Sequence, residues 1–332
     1  MTVYLGDKAV GVNSIVEKEV PEERFGVKVG DIIGTVDADG TYRAPTGTCV
    51  LDFVGAKNIP YYGCAFLFTR NNTISSFFAN DIVSVDASAF RSTFQNAHIK
   101  NAHIDNLEIV NKNDSFYYYC YGASYLEKAS FAKLREIAAS AAFYNAFRYA
   151  GTFSGNNSVF DVDEVFPSLE TVSASQALDN VFEVQAGQAY IYSKIKKITG
   201  GSATYTATFG VYYACDTKWY FPSATEFTGY ILSCIYDGEL HFAAANQVAL
   251  EACEGYDYKW GFTGATIYFD LITTITIDGV AYSRGLTIGG YTAWTDENGN
   301  AIYTNADAEP TVGTVVYSDQ GTTQVGTVSE AA

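Results

Sequence analysis

Three carboxyl groups within four residues, Asp161, Asp163 and Glu164, are the first candidates for chemistry in this chain. Paired carboxylates could protonate a leaving oxygen and activate water or attack carbon, which is the requirement of glycoside hydrolysis. The plainer reading is a solvated acidic loop, because the whole chain is anionic. Histidine, the usual general base, occurs three times. His98 and His103 are five residues apart and fall on opposite faces of a strand, so they cannot share a metal. His241 sits within a strand pattern and reads as an ordinary half-buried polar position. No nucleophile elbow, metalloprotease helix motif or phosphate-binding loop occurs. Two stretches have partial calcium-loop spacing, Asp37 with Asp39, and Asp296 with Asn298 and Asn300. The first lacks the remaining ligands, and in the second the Gly falls at the wrong place and no helices flank the loop, so each reads as a hairpin turn. The expectation is a non-enzymatic protein with no cofactor and no metal.

Composition sets the elements that carry these residues. Tyr and Phe number 26 and 22, beside 29 Gly, which favours strands and turns. A length of 332 residues exceeds what one core usually supports, so several modules are expected. A net charge of −17 removes nucleic acid as a partner, since binding phosphates needs clustered Lys and Arg. No run of about eighteen apolar residues is present, so no membrane insertion is expected, and no basic stretch followed by an apolar one marks an export signal. Six cysteines, Cys49, Cys64, Cys120, Cys215, Cys234 and Cys253, show no paired spacing and are expected to be reduced and buried.

The organising feature is an internal repeat between Asn80 and Glu183. Three lines, HIDNLEIVNKNDSFYYYC, SFAKLREIAASAAFYNAF and VFPSLETVSASQALDNVF, place apolar residues in the same five columns. The columns are Ile104, Phe131 and Phe166; Leu107, Leu134 and Leu169; Val110, Ile137 and Val172; Phe116, Phe143 and Leu178; and Cys120, Phe147 and Phe182. Leu107 to Leu134 is 27 residues and Leu134 to Leu169 is 35, so the loops vary while the frame does not. That is the behaviour of stacked supersecondary units. The first three columns suit a short strand entering a corner. The last two are four apart in an Ala-rich run and predict a short helix returning toward the sheet. A weaker copy, with Val85, Phe90 and Phe94, precedes them.

The lines FPSLETVSASQALDNVF and FAKLREIAASAAFYNAF resemble the short, irregular leucine-rich repeats of bacterial surface adhesins and of structural proteins of phages that infect gut bacteria. The flanks MTVYLGDKAVGV and YSRG…GGYTAW…AEPTVGTVVYSD are similar to those such phage proteins carry. The resemblance implies a mainly β fold with short helices, an irregular leucine-rich-repeat solenoid flanked by small β modules and a β-sandwich-like domain. It also implies a virion structural protein, a fibre, tail-tip or head-decoration component with a part in host attachment, assembled in the host cytoplasm. The missing export signal favours the virion over a secreted adhesin. A tail-associated polysaccharide depolymerase and a bacterial adhesin are the alternatives.

Around the repeat region, 51–185, the sequence divides into an N-terminal β arm or anchoring module, 1–50, a β-rich domain, 186–270, and a C-terminal β-meander, 271–332. Asp39-Gly40, Asp237-Gly238, Asp278-Gly279 and Asn298-Gly299 are its hairpin signals. Between the core positions Phe116 and Cys120 lie tyrosines, and Tyr117, Tyr118, Tyr119 and Tyr121 are expected to project away from the core. They are read as an interface covered by another domain or subunit, or as a sugar-stacking surface, the interface being favoured. The arm is too small to be stable alone and is expected to pair with other virion proteins or with further copies, a homo-oligomer for which a trimer is favoured. A host-surface glycan or protein is the remaining partner.

Overall fold

The computed structural model describes residues 57–72, 74–151, 158–182, 187–199, 215–229, 238–253, 266–288, 290–306, 308–321 and 323–331. In the first 56 residues it describes the backbone of six short strands. The fold is mainly β, a solenoid of about six turns followed by a curled sheet, with few and short helices.

Three parallel sheets form the solenoid. One turn begins in the first sheet at Asn101–His103, rounds a corner, enters the second sheet at Ile109–Val110, and returns through a chain of turns to Lys128–Ser130. Ala102 pairs with Phe77 behind it and Ala129 ahead, and Val110 pairs with Ile137, which pairs with Val172. All fourteen leucine, isoleucine, valine and phenylalanine positions of the five columns are buried, as is Cys120. Like residues in one column stack at the rung spacing of a sheet, about 4.8 Å. Phe90, Phe116 and Phe143 form one such pile, with ring centres 5.2 Å and 4.8 Å apart and planes within 8°.

The Ala-rich return is not a helix. Every second amide donates three residues back, as in Tyr144 N to Ala141 O (3.3 Å) and Ala146 N to Phe143 O (3.0 Å). The amides between donate to the next rung, as in Phe143 N to Ala177 O (2.9 Å) and Asn145 N to Asp179 O (3.0 Å). Every fourth residue is left-handed, at Tyr62, Phe66, Arg70, then Ser88, Ser92, Asn96, and so through Asn180. The ladder therefore repeats every four residues. It keeps Phe143 and Phe147 on one side, as a helix would, while sending half its hydrogen bonds across rungs.

Past residue 185 the ladders continue. Val172 pairs with Ile198, and Ile198 with Phe227, in the second sheet. A third sheet, Ser158–Asp161, Gly187–Tyr192, Cys215–Phe221, Glu239–Ala243 and Thr266–Leu271, stacks in parallel beside it. The region 186–270, read from sequence as a β-rich domain of its own, thus supplies rungs to the solenoid with its described strands. Trp219, Phe221, Leu240 and Phe242 join the same continuous core as the repeats.

The last sixty residues fold into a seven-stranded antiparallel sheet curled around Ile275, Trp294, Ile302, Val316 and Val328. Its joint with the solenoid centres on Arg284. That guanidinium is almost fully buried and clamps Glu309 with two bonds of 2.6 Å and 2.9 Å, while also donating to Ile272 O. It lies over the rings of Trp294 and of Tyr192, which belongs to the solenoid. At the other end of the chain, Val3–Leu5 pairs antiparallel with Lys8–Val10, Ile15–Lys18 lies parallel to Cys49–Phe53 in the first sheet, and Thr35–Val36 and Tyr42–Arg43 flank the Asp39-Gly40 hairpin signal.

Candidate functional site

The turn ladder turns one column outward in each set of rungs, and in three successive rungs that column holds Arg91, Tyr117 and Tyr144, as the bonds Ser92 N to Tyr117 O and Tyr118 N to Tyr144 O fix. The Arg91 guanidinium lies 4.3 Å from the centre of the Tyr117 ring. Tyr117 stacks on Tyr144 at 4.9 Å with planes 13° apart. Tyr118 meets Tyr117 and Tyr121 edge-on at 4.5 Å and 4.8 Å, and Tyr121 meets Tyr149 at 5.7 Å. Arg148 lies over Tyr149 and donates to its hydroxyl (2.9 Å) and to Asn145 Oδ1 (3.1 Å). The result is a ridge of five half-buried phenols and two guanidinium groups running along the solenoid axis.

The phenols of the ridge are neutral hydrogen-bonding groups set beside two guanidinium charges. Burial pushes the Tyr117 and Tyr144 hydroxyls above their usual range, so the phenols act as donors and acceptors and not as acids. Asp114 stands 3.6 Å from Arg91; burial raises its carboxyl and Arg91 opposes that shift. Each guanidinium faces a ring, an arrangement worth about 0.5–1 kcal/mol at an exposed site. Tyr117 and Tyr144 cover each other's faces, while Tyr118 and Tyr121 meet their neighbours edge-on.

Of the four tyrosines expected to project, Tyr117, Tyr118 and Tyr121 are on the ridge and Tyr119 is not. Tyr119 is fully buried among Phe90, Phe94, Phe116, Phe131 and Phe147. The physical reason is the ladder: the chain reverses every two residues, so position 119 points inward beside the Phe116 and Cys120 columns. Among the described residues its hydroxyl has no hydrogen-bond partner, and burial drives its ionisation well up. Tyr144, Tyr149, Arg91 and Arg148 were missed by the sequence reading. The signal was present for Tyr144, which follows Phe143 as Tyr117 follows Phe116.

The other candidates disperse. Asp163 is buried in the short helix Val162–Val165, where it accepts from Lys194 N (3.2 Å), and Glu164 is exposed. Burial raises the Asp163 carboxyl to about 7, with Lys194 opposing. The two carboxyls diverge, and the side chain of Asp161 is outside the described residues. Asp296 closes its own turn, accepting from Asn298 N, Asn300 N and Asn300 Nδ2. Asp37 and Asp39 lie outside the described residues. His98 packs on Tyr125, and His103 stacks on Phe78. Among the described residues no group of three or more His, Cys, Asp or Glu is arranged to hold a metal. Cys64 and Cys120 are buried and Cys253 is half-buried, and none of the three is in a disulfide; the side chains of Cys49, Cys215 and Cys234 lie outside the described residues.

His241 does not stand alone, although nothing in its sequence surroundings marked it. Its Nδ1 lies 2.8 Å from Asp270 Oδ1 and its Nε2 lies 3.0 Å from Glu239 Oε2. No family model matches this chain, and no curated protein and no solved structure does so either.

Proposed function

We propose that this chain is a non-enzymatic structural protein of a bacteriophage particle, carried at its surface as a fibre, tail-tip or head-decoration component, and that the tyrosine and arginine ridge is the face that meets its partner. The ridge carries the proposal. It is rigid, because the rungs beneath it are hydrogen-bonded to one another, and it is rich in Tyr and Arg, two of the three residue types enriched in recognition hot spots. The resemblance of the repeats and of the chain's flanks to phage structural proteins supplies the particle. The partner on this reading is a neighbouring particle protein or a host-surface glycan or protein, and copies of the chain associate, as trimers, through the N-terminal arm.

The divergence of Asp163 and Glu164 weighs against a depolymerase, since it removes one of the carboxylate pairs that the sequence offered. Antibody raised against the purified protein should decorate intact particles in electron micrographs. The free protein should compete with particles for host cells, and Tyr117→Ser with Tyr144→Ser should abolish that competition while the fold is retained. Unlabelled particles, or release of reducing sugar from host capsule by the purified protein, would overturn the reading.

A further inference from the structure

We infer that the outward face of the turn ladder takes an acidic polysaccharide, whose carboxylates meet Arg70, Arg91 and Arg148 and whose sugar rings lie on Tyr61 and Phe66. This rests on the reading of the ridge as the face that meets a partner, and it names that partner's chemistry. Charge points to an anion. The chain as a whole carries −17. Of the five arginines among the described residues, Arg70, Arg91 and Arg148 stand on the ladder face, where the carboxylates are Asp114 and the buried Asp179. The face is therefore locally basic on an acidic protein, and clustered guanidinium groups select carboxylates.

The spacing calls for a polymer. Arg70 N donates to Gln95 O, Asn96 N to Tyr121 O and Gly122 N to Arg148 O, so Arg70 and Arg148 are three rungs apart. At the rung spacing of a sheet that is about 14 Å along the axis, with Arg91 on a rung between them. A small anion meets one of these groups, whereas a linear chain with recurring carboxylates meets all three. Arg70 is exposed. Arg91 lies over the Tyr117 ring, and a guanidinium that packs by its face keeps its fork of N–H donors in its own plane for a carboxylate. Asp114, at 3.6 Å, stands beyond hydrogen-bond length from it. Arg148 is positioned by its bonds to the Tyr149 hydroxyl and Asn145 Oδ1.

The uncharged groups suit sugars better than an acidic peptide. A protein interface is anchored by a contiguous apolar centre that loses its water. On this face the most open rings, Tyr61 at 59% and Phe66 at 41% exposure, stand at the end nearest the N-terminus. Between them and Arg148 the outward side chains include the half-buried phenols of Tyr117, Tyr118 and Tyr121. A phenol both donates and accepts, as a sugar hydroxyl does. Phe66 N donates to Arg91 O at 2.9 Å, so a sugar ring on Phe66 and a carboxylate on Arg91 belong to one short segment of polymer.

The test is binding of the full-length protein to immobilised polygalacturonate and polysialic acid, with the methyl-esterified form of each and poly-L-glutamate as comparisons. At least one of the two acidic polysaccharides should bind, several-fold more tightly than its ester and than poly-L-glutamate. Arg70→Gln with Arg148→Gln should weaken that binding several-fold and flatten its salt dependence. Arg135→Gln, on the second sheet, should leave it unchanged. Binding to neither polysaccharide, or equal binding of the ester, would overturn the inference. Poly-L-glutamate bound as tightly would also overturn it, by moving the ligand to an acidic protein segment. If the paired variant does not fold, Arg70→Gln alone and the ester comparison on the parent decide the question. Antibody-labelled particles together with no polysaccharide binding strike this inference alone, and unlabelled particles strike the reading on which it rests.

Discussion

The turn ladder of the solenoid and the hairpins of the curled sheet both use left-handed backbone, and they fill it with different residues. In the curled sheet the positions belong to Gly279, Gly290, Gly299, Gly313 and Gly321, with Asp278 the exception. In the ladder they belong to Tyr62, Phe66, Arg70, Asp114, Tyr118, Ala141, Gln176 and others, each of which costs about 1–2 kcal/mol more there than a glycine would. A hairpin turn must be favourable on its own, because only its two strands support it. A ladder turn is held by amides that donate to the next rung, so packing and inter-rung bonds override local preference. One region is encoded locally and the other by its neighbours.

The largest effects should come from removing what holds each region. Phe143→Ala takes a ring out of the stacked pile and should cost about 3–5 kcal/mol, read by denaturant unfolding. Arg284→Ala removes both guanidinium bonds from the half-buried Glu309, which keeps the Ile272 amide, and should cost about 3 kcal/mol. If local encoding makes the curled sheet independent, Arg284→Ala should melt it separately and leave the solenoid's transition in place; a single shared transition would show that the regions are coupled.

Asp163 offers a pH test confined to the solenoid. Its carboxyl is raised from 3.8 to about 7, so the folded state holds a proton that the unfolded chain has lost. Stability should fall between about pH 4 and pH 7 and then level off, by up to about 4 kcal/mol at about 1.4 kcal/mol per unit. Asp163→Asn should remove most of this slope and be the more stable protein at pH 8. An unchanged slope would place the pH response elsewhere.

A smaller effect is expected from Tyr119→Phe, which deletes a buried hydroxyl that has no partner among the described residues and should stabilise by about 1 kcal/mol. The smallest effects are also the sharpest, because they differ in sign. Ala141→Gly in the ladder should gain about 0.5 kcal/mol, since relief of the left-handed strain exceeds the entropy cost of glycine. In the helix that the sequence suggested it would lose about 1 kcal/mol. Gly299→Ala in the curled sheet, where a methyl group would meet no neighbour, should lose about 1 kcal/mol. Paired thermal melts decide both.

The residues by themselves determined the stacked frame. A column such as Leu107, Leu134 and Leu169 repeats because each rung must fill the same place in the core, and that demand shows in one sequence without a structure. The hairpins at Asp278-Gly279 and Asn298-Gly299 were legible for the same kind of reason, since their turn chemistry is local. Tertiary structure decided the rest. Phe143 and Phe147, four apart, are consistent with a helix and with a four-residue turn ladder, and only the hydrogen bonds to residues more than thirty positions away separate them. Tyr119 looked like its neighbours until the ladder turned it inward. The ridge and the contact of His241 with Asp270 are assembled across rungs, from partners 26 to 29 residues apart such as Arg91 with Tyr117, Tyr117 with Tyr144 and His241 with Asp270. The spacing of those partners depends on loop lengths, which vary from turn to turn, so the register that brings them together is set by the folded stack and not by any local pattern.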